Sequence, residues 1–265
     1  MSALSLGAAT REGSSLGHCL SWRDPDIDAT LVVSQPSADP DLWSEYSAGA
    51  QRSYRKHGVE SALDIEALHS GADTAMFFAV IDDDGRMVAG VRAKGPLRSA
   101  DDSHAVVEWE GQPGHRAVRN MITDRIPFGV LEVKSAWTNG DPDRSHVLSR
   151  AVARSAFHMM VMLDVQFAMA TAATPLLKRW RSSGGVVAAL PATPYPNDRY
   201  RTKMLWLNRR DFFHHAEPDQ VAKIVTETKH LIHELFRRSQ VDAVLSKRIT
   251  FAEAQLIRPN HSEGA

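Results

Sequence analysis

Apolar positions along the chain recur with two different periods, and the places where the period changes mark out its elements. Ala29–Val33 is a short strand-like run, followed by turn residues from Pro36 to Pro40. Asp39 is placed to cap a helix beginning near Pro40, which carries Trp43, Tyr46, Ala50 and Tyr54 at helical spacing toward Gly58. Ala75–Ile81 and Met87–Arg92 have strand chemistry, and the Asp-Gly step between them supplies the positive φ of a tight hairpin. A short strand is predicted at His104–Glu108. After a polar connection, a longer strand is predicted over Phe128–Thr138, ended by the turn-forming Asn139-Gly140-Asp141-Pro142.

Beyond this turn the period becomes helical. Asp143 is the predicted N-cap of a helix starting at Arg144, with Val147 or Leu148, Ala151, Val152, Ser155, Met159 and Leu163 on one side. Val165–Ala172 reads as a buried strand, and Pro175 opens a short helix, Leu176–Arg181, stopped by Gly184-Gly185. Val186–Leu190 and Arg201–Leu207 form a closing hairpin around a Pro-rich loop, and Glu217–Gln240 is an amphipathic helix. The interleaving of both element types predicts an α/β (α+β) fold, a mixed central sheet flanked by helices with a C-terminal helical extension. The expected divisions are a flexible leader (1–28), the main domain (29–210), the helical extension (211–258) and a disordered tail (259–265).

Composition narrows the function. The chain has 265 residues, 43% of them hydrophobic and 24% charged, enough to bury a core and remain soluble. Lys and Arg number 31 against 32 Asp and Glu, so the overall field draws in neither nucleic acid nor an anionic membrane. One cysteine, Cys19, excludes an internal disulfide framework and a cysteine-rich zinc site, and fits a reducing cytoplasm. The most apolar run, Phe157–Val165, is interrupted by His158 and Asp164, so neither a signal peptide nor a membrane span is expected. His230 and His233 lack a third ligand, and Asp82–Asp84 lack the spacing of a calcium loop, so no metal site is expected. Met159, Met160 and Met162 read as core, or as the wall of an acyl-chain tunnel.

The candidate chemistry begins at the strand-turn-helix Asn139–Ser149. Unpaired N–H groups at a helix start favour an anion, and Arg144, Ser145, His146, Val147 and Ser149 lie in the first turns. The plain alternative is a capped surface helix. Glu132, on the preceding strand, is a candidate base for an amine, directly or through water; its alternative is a solvent-facing strand residue paired with Lys134 or an arginine. Arg92 is suited to orient a substrate carboxylate, or is an ordinary strand arginine. Glu108 and Glu110, on either side of Trp109, are placed to meet an amine, or form a charged strand face.

From Ala29 to Leu207 the order of elements resembles the GNAT (GCN5-related N-acetyltransferase) fold. In that family a splayed strand leads into a pyrophosphate loop and long helix, here Phe128–Thr138 and Asn139–Leu163. The next strand leads to a short helix and a glycine, here Val165–Ala172 and Leu176–Gly185. Trp180 stands where the family often has a tyrosine, which leaves vacant the role of proton donor to a departing thiolate. The loop also lacks the usual glycines after its arginine. Val88-Ala89-Gly90-Val91-Arg92 with Gly95-Pro96, and the glutamate-bearing strand Leu131–Ala136, are similar to the acyl-homoserine-lactone synthase and N-acyl-amino-acid synthase branch. Arg52 and Tyr54 before Gly58 give a looser likeness.

The resemblance implies transfer of an acyl group from acyl-CoA or an acylated carrier protein to an amine, such as that of an amino acid, with no permanently bound cofactor. The thioester would lie beside Ala136 and its pantetheine would run to Arg144, with Glu132 as base. A homodimer through Glu217–Gln240 is an expected assembly. A catalytically silent domain that binds an acyl ligand or a partner is the alternative, supported by the missing glycines and tyrosine.

Overall fold

The computed structural model describes residues 19–141 and 143–256, with side chains to 237. The leader residues before 19 and the tail after 256 lie outside the described residues. Eight strands form one sheet in the order β1-β2-β3-β4-β5-β6-β8-β7. These are β1 (Leu20–Asp24), β2 (Ala29–Ser34), β3 (Thr74–Asp82), β4 (Met87–Lys94), β5 (Val130–Thr138), β6 (Phe167–Ala173), β7 (Val186–Val187) and β8 (Thr202–Asn208). All neighbours are antiparallel except β5 and β6.

Helices cover both faces. On one lie α1 (Pro40–His57), α2 (Ile65–Ser70), α3 (His104–Glu108) and α4 (His115–Thr123). On the other lie α5 (Ser145–Met162), α6 (Leu177–Arg181) and α7 (Pro218–Leu256). The first helix forms as its sequence dictates: the Asp39 carboxylate accepts from Leu42 N–H, Pro40 opens the first turn, and Gly58 ends it in the left-handed region. Trp43, Tyr46 and Ala50 of α1 pack on Phe77, Ala79 and Trp137. This approach is so close that a Cβ at Gly49 would stand 2.1 Å from the Trp137 ring. Leu148, Val152 and Met159 of α5 join Val91, Val133 and Ala170 on the opposite face, and Ile224 and Leu231 of α7 cover them. Val225, Ile232 and Phe236 of α7 are exposed.

Four elements differ from expectation. Residues 20–28 are not leader: Leu20–Asp24 is an edge strand with both ends buried, and it begins the sheet one strand earlier. His104–Glu108 is a helix rather than a strand, entered through Ser103, whose hydroxyl accepts from Ala105 N–H. The polar connection after it contains α4. Asp143 does not cap α5; Arg144 occupies the N-cap, and the carboxylate of Asp141 accepts from the N–H of Asp143.

β5 is bulged in its middle. Gly90 pairs with Trp137 and Arg92 with Lys134, so β5 has one more residue than β4 across this interval. Ser135 absorbs the extra residue at φ 50°. Tyr46 donates to its carbonyl at 2.9 Å and Arg92 Nε to its hydroxyl at 3.4 Å.

Candidate active site

The parallel pairing of β5 with β6 runs only from Val130–Phe167 to Val133–Ala170. Beyond it the strands part, β5 staying with β4 and β6 with β8. Lys134 and Thr171, the first residues past the last pair, turn to the α1–α3 face. There both reach one oxygen of Glu108: Lys134 Nζ at 3.2 Å and Thr171 Oγ1 at 2.9 Å from Oε1. The carboxylate therefore bridges the two strands where the sheet opens.

Glu108 is buried, and its other oxygen, Oε2, has no hydrogen-bond partner. Burial pushes this carboxyl upward, but Lys134, His104 and Thr171 together hold it below its ordinary value. Burial favours a neutral Lys134, yet Glu108 and Glu132 raise it above its ordinary value. Both members of the pair are therefore charged at neutral pH. His104, one helical turn before Glu108, places Nδ1 2.7 Å from Lys134 Nζ and 3.3 Å from Glu108 Oε1. Its Nε2 lies 3.5 Å from the Tyr195 hydroxyl. At 22% side-chain exposure, His104 is the most open member of the His104–Glu108–Lys134 group. Tyr195 comes from the Pro-rich loop before β8, and burial together with Glu108 pushes its hydroxyl up to about 12. Tyr54 of α1 is also raised, by burial first, within the field of Lys134 and Glu108.

The residues read from sequence fall in different places. Glu132 is fully buried, and its carboxylate is taken by the start of α3: Oε2 accepts from His104 N–H at 2.9 Å and Oε1 from Ala105 N–H at 3.2 Å. It holds α3 in place and offers no open oxygen to an amine. Glu110 is exposed in the turn after α3, outside the buried group. Arg92 is 2% exposed, bound to Asp73 at 2.5 Å and Thr74 at 2.8 Å, so its guanidinium is closed to a substrate carboxylate.

The Asn139–Ser149 loop leads into α5 as expected, but its arginine is engaged elsewhere. Arg144 donates to the Ile27 carbonyl at 2.6 Å and ties the loop to the β1–β2 turn. Ser145 N–H donates to Asp141, and Ser149 donates to the Ser145 carbonyl. Ser149 in turn accepts from Arg179 of α6 at 2.9 Å. Lys56, at the end of α1, lies against Gly140, where a Cβ would be 2.7 Å from Nζ. Lys56, Arg144 and Arg179 thus gather around the start of α5. His146 is exposed, while Val147 and Ala136 pack against the core on the α5 face.

Sequence reasoning missed His104, Thr171, Tyr195, Lys56 and Arg179 as members of these groups. The four-residue spacing of His104 and Glu108 was an available signal, hidden by reading the segment as a strand. Among the described residues no three His, Cys, Asp or Glu side chains gather as a metal site, and no helix is long and apolar enough to cross a membrane.

No family model matches the chain. It is 56% identical over 211 residues to the uncharacterized proteins Rv1356c of Mycobacterium tuberculosis and Mb1391c of Mycobacterium bovis, covering 79% of this chain and 80% of each relative. Among solved structures it is similar to FeeM, an N-acyl amino acid synthase from uncultured soil microbes, at TM-score 0.51 and 10% identity, covering 77% of this chain and 96% of that one. A CoA-dependent acyl-homoserine lactone synthase, BjaI, aligns at TM-score 0.47 and 11% identity over 74% of this chain and 88% of its own. The protein belongs to the same family as these mycobacterial proteins, and the architecture of its chain is the GNAT fold.

Proposed function

We propose that the protein transfers an acyl group from an acyl thioester, carried by CoA or an acyl carrier protein, to an amine such as that of an amino acid. The observation that carries this reading is Glu108 spanning the gap at which β5 and β6 separate, with one oxygen unpartnered. A thioester entering the gap beside Ala136 meets strand N–H groups at its carbonyl oxygen and the Glu108 group at the carbonyl carbon.

Attack of a neutral amine forms the C–N bond and develops positive charge on nitrogen, for which an ionised, buried carboxylate is the complement. Glu108 Oε2 takes the nitrogen's proton, the C–S bond breaks, and Tyr195 gives its hydroxyl proton to the departing thiolate. His104, between Tyr195 and Glu108, returns the proton, so the balance is one N–H lost and one S–H gained. Tyr195 stays protonated at neutral pH and fills the role left vacant by Trp180. Glu132 acts as a positioning residue through α3. Lys56, Arg179 and the start of α5 are the proposed seat of the CoA pyrophosphate, with Arg144 holding the loop to the Ile27 carbonyl beside it.

The test is thiol release from acetyl-, medium- and long-chain acyl-CoA with a panel of amino acids, beside calorimetric binding of each thioester. Release that requires an amine supports transfer. Binding without release under any pairing overturns it in favour of a silent acyl-ligand domain.

A further inference from the structure

The α1 side of the sheet holds a second cavity that this chemistry does not use. A cleft of about 810 Å³ lies between α1, α2 and the chain entering β3, within the size range of small-molecule sites. It sits at the end of the sheet where β2 stops and β3 starts, opposite the end at which β5 and β6 part. Pro36, Pro40 and Ala48 give it apolar walls, while Gln51 and His69, 2.7 Å apart, join α1 to α2 at its side. No Lys, Arg, Asp or Glu lines it.

Trp43 gives this cleft a specific chemistry. Its ring is 5% exposed and fixed by stacking on Tyr46 at 5.0 Å and by an edge contact with Phe77 at 5.1 Å. Its indole N–H is buried without a hydrogen-bond partner. Nε1 faces Gly71 and Pro36 of the cleft wall, neither of which offers it an acceptor: a Cβ on Gly71 would stand 2.6 Å from Pro36 Cβ and 3.2 Å from Nε1. Trp22, Trp137 and Trp206 also have unpartnered indole N–H groups, but none of them lines this cleft. A buried donor at a cavity wall calls for an acceptor from the ligand, and a wall without charges disfavours an ion, whose desolvation nothing there offsets.

We infer that this cleft binds a neutral organic molecule through a carbonyl oxygen on Trp43 Nε1, with an aliphatic body against the two prolines; amides are the chemical class that fits. The site stands independently of the acyl-transfer reading.

The test is a titration of the ¹⁵N-labelled full chain with N-hexylacetamide, hexanoate and hexylamine, following the indole N–H resonances, with that of Trp43 assigned from Trp43→Phe. The expected result is a saturable downfield shift of the Trp43 resonance with the amide, and affinity at least about tenfold weaker for both ions. Ser44→Trp, which fills the cleft from an exposed position of α1, should abolish the shift, and Ser37→Trp should do so from the loop should the first variant fail to fold. An absent shift, equal binding of all three probes, or a shift retained in a folded cleft-filling variant overturns the inference.

Discussion

Two groups of buried charges flank the sheet, one on each face, and they are built to opposite ends. On the α5 side, Arg154 donates to Asp24 of β1 and, through Nε, to both oxygens of Glu227 of α7. Lys223 donates to the second Asp24 oxygen, while His158 bonds Glu227 at 2.7 Å and Thr228 at 3.1 Å. Both carboxylates are closed off by cations, and the network fastens the edge strand and the last helix to the domain centre. On the α1–α3 side, Glu108 keeps an oxygen without a partner and His104 reaches the surface. A satisfied network holds elements together, whereas one left short by a single bond has capacity for a reacting group.

The contrast can be broken first on the structural side. Arg154→Ala leaves Asp24 and Glu227 facing each other in the interior and should cost about 3–5 kcal/mol in chemical denaturation. Its catalytic rate, measured on the folded fraction, should be unchanged; a stable but slow variant would move catalysis to the α5 face. Glu108→Gln is the counterpart: turnover should fall by about a hundred- to a thousandfold in single-turnover thiol release at saturating donor, with donor affinity retained. Wild-type turnover in this variant would remove Glu108 from the chemistry.

Acid separates the two groups more gently. Burial raises the Glu227 carboxyl, but His158 and Arg154 outweigh it and bring the carboxyl down to about 2 from 4.5. A lowered folded-state value gives stabilisation that is present above pH 4.5 and lost as pH falls from 4.5 toward 2, at most about 3 kcal/mol. The stability gap between wild type and Glu227→Gln should therefore close over that window in denaturation curves. Smallest is Glu132→Gln: an amide NH₂ set against a backbone N–H at the start of α3 should cost about 1–3 kcal/mol of stability. It should slow turnover only as far as α3 shifts, and a loss as deep as that of Glu108→Gln would restore Glu132 as the base.

How far the sequence leads can be judged on the same two faces. Long periodic elements such as α1, α5 and the β3–β4 hairpin were legible because each repeats its period several times. His-Ala-Val-Val-Glu was not, since five residues do not distinguish alternation from a helical turn, and strand and helix place Glu108 on different sides. β1 was hidden in a Ser- and Gly-rich stretch, and its role emerges only when Asp24 meets Arg154 across 130 residues. The splay could be located through family resemblance, but the residues that fill it come from α3, β6 and a Pro-rich loop, and no local pattern joins those segments. Glu132 was legible as a glutamate on the central strand; that it is fully buried and that its oxygens belong to backbone N–H groups are tertiary facts.

Ser135 has a further consequence, best seen as a change of frame. A strand has two sides, so an ordinary β5 would send Val133, Ser135 and Trp137 the same way, and Lys134 the other. The extra residue resets the count: Val133 and Ala136 share the α5 side, while Lys134 and Trp137 share the α1 side. One left-handed residue thereby lets the same strand supply a cation beneath α3 and, three positions later, an indole beneath α1. Holding Ser135 to ordinary extended backbone, with no residue removed, would restore simple alternation and exchange the sides of everything beyond it, bringing Trp137 into the α5 core and emptying the hollow over Gly49, whereas deleting Ser135 would keep Trp137 beneath α1.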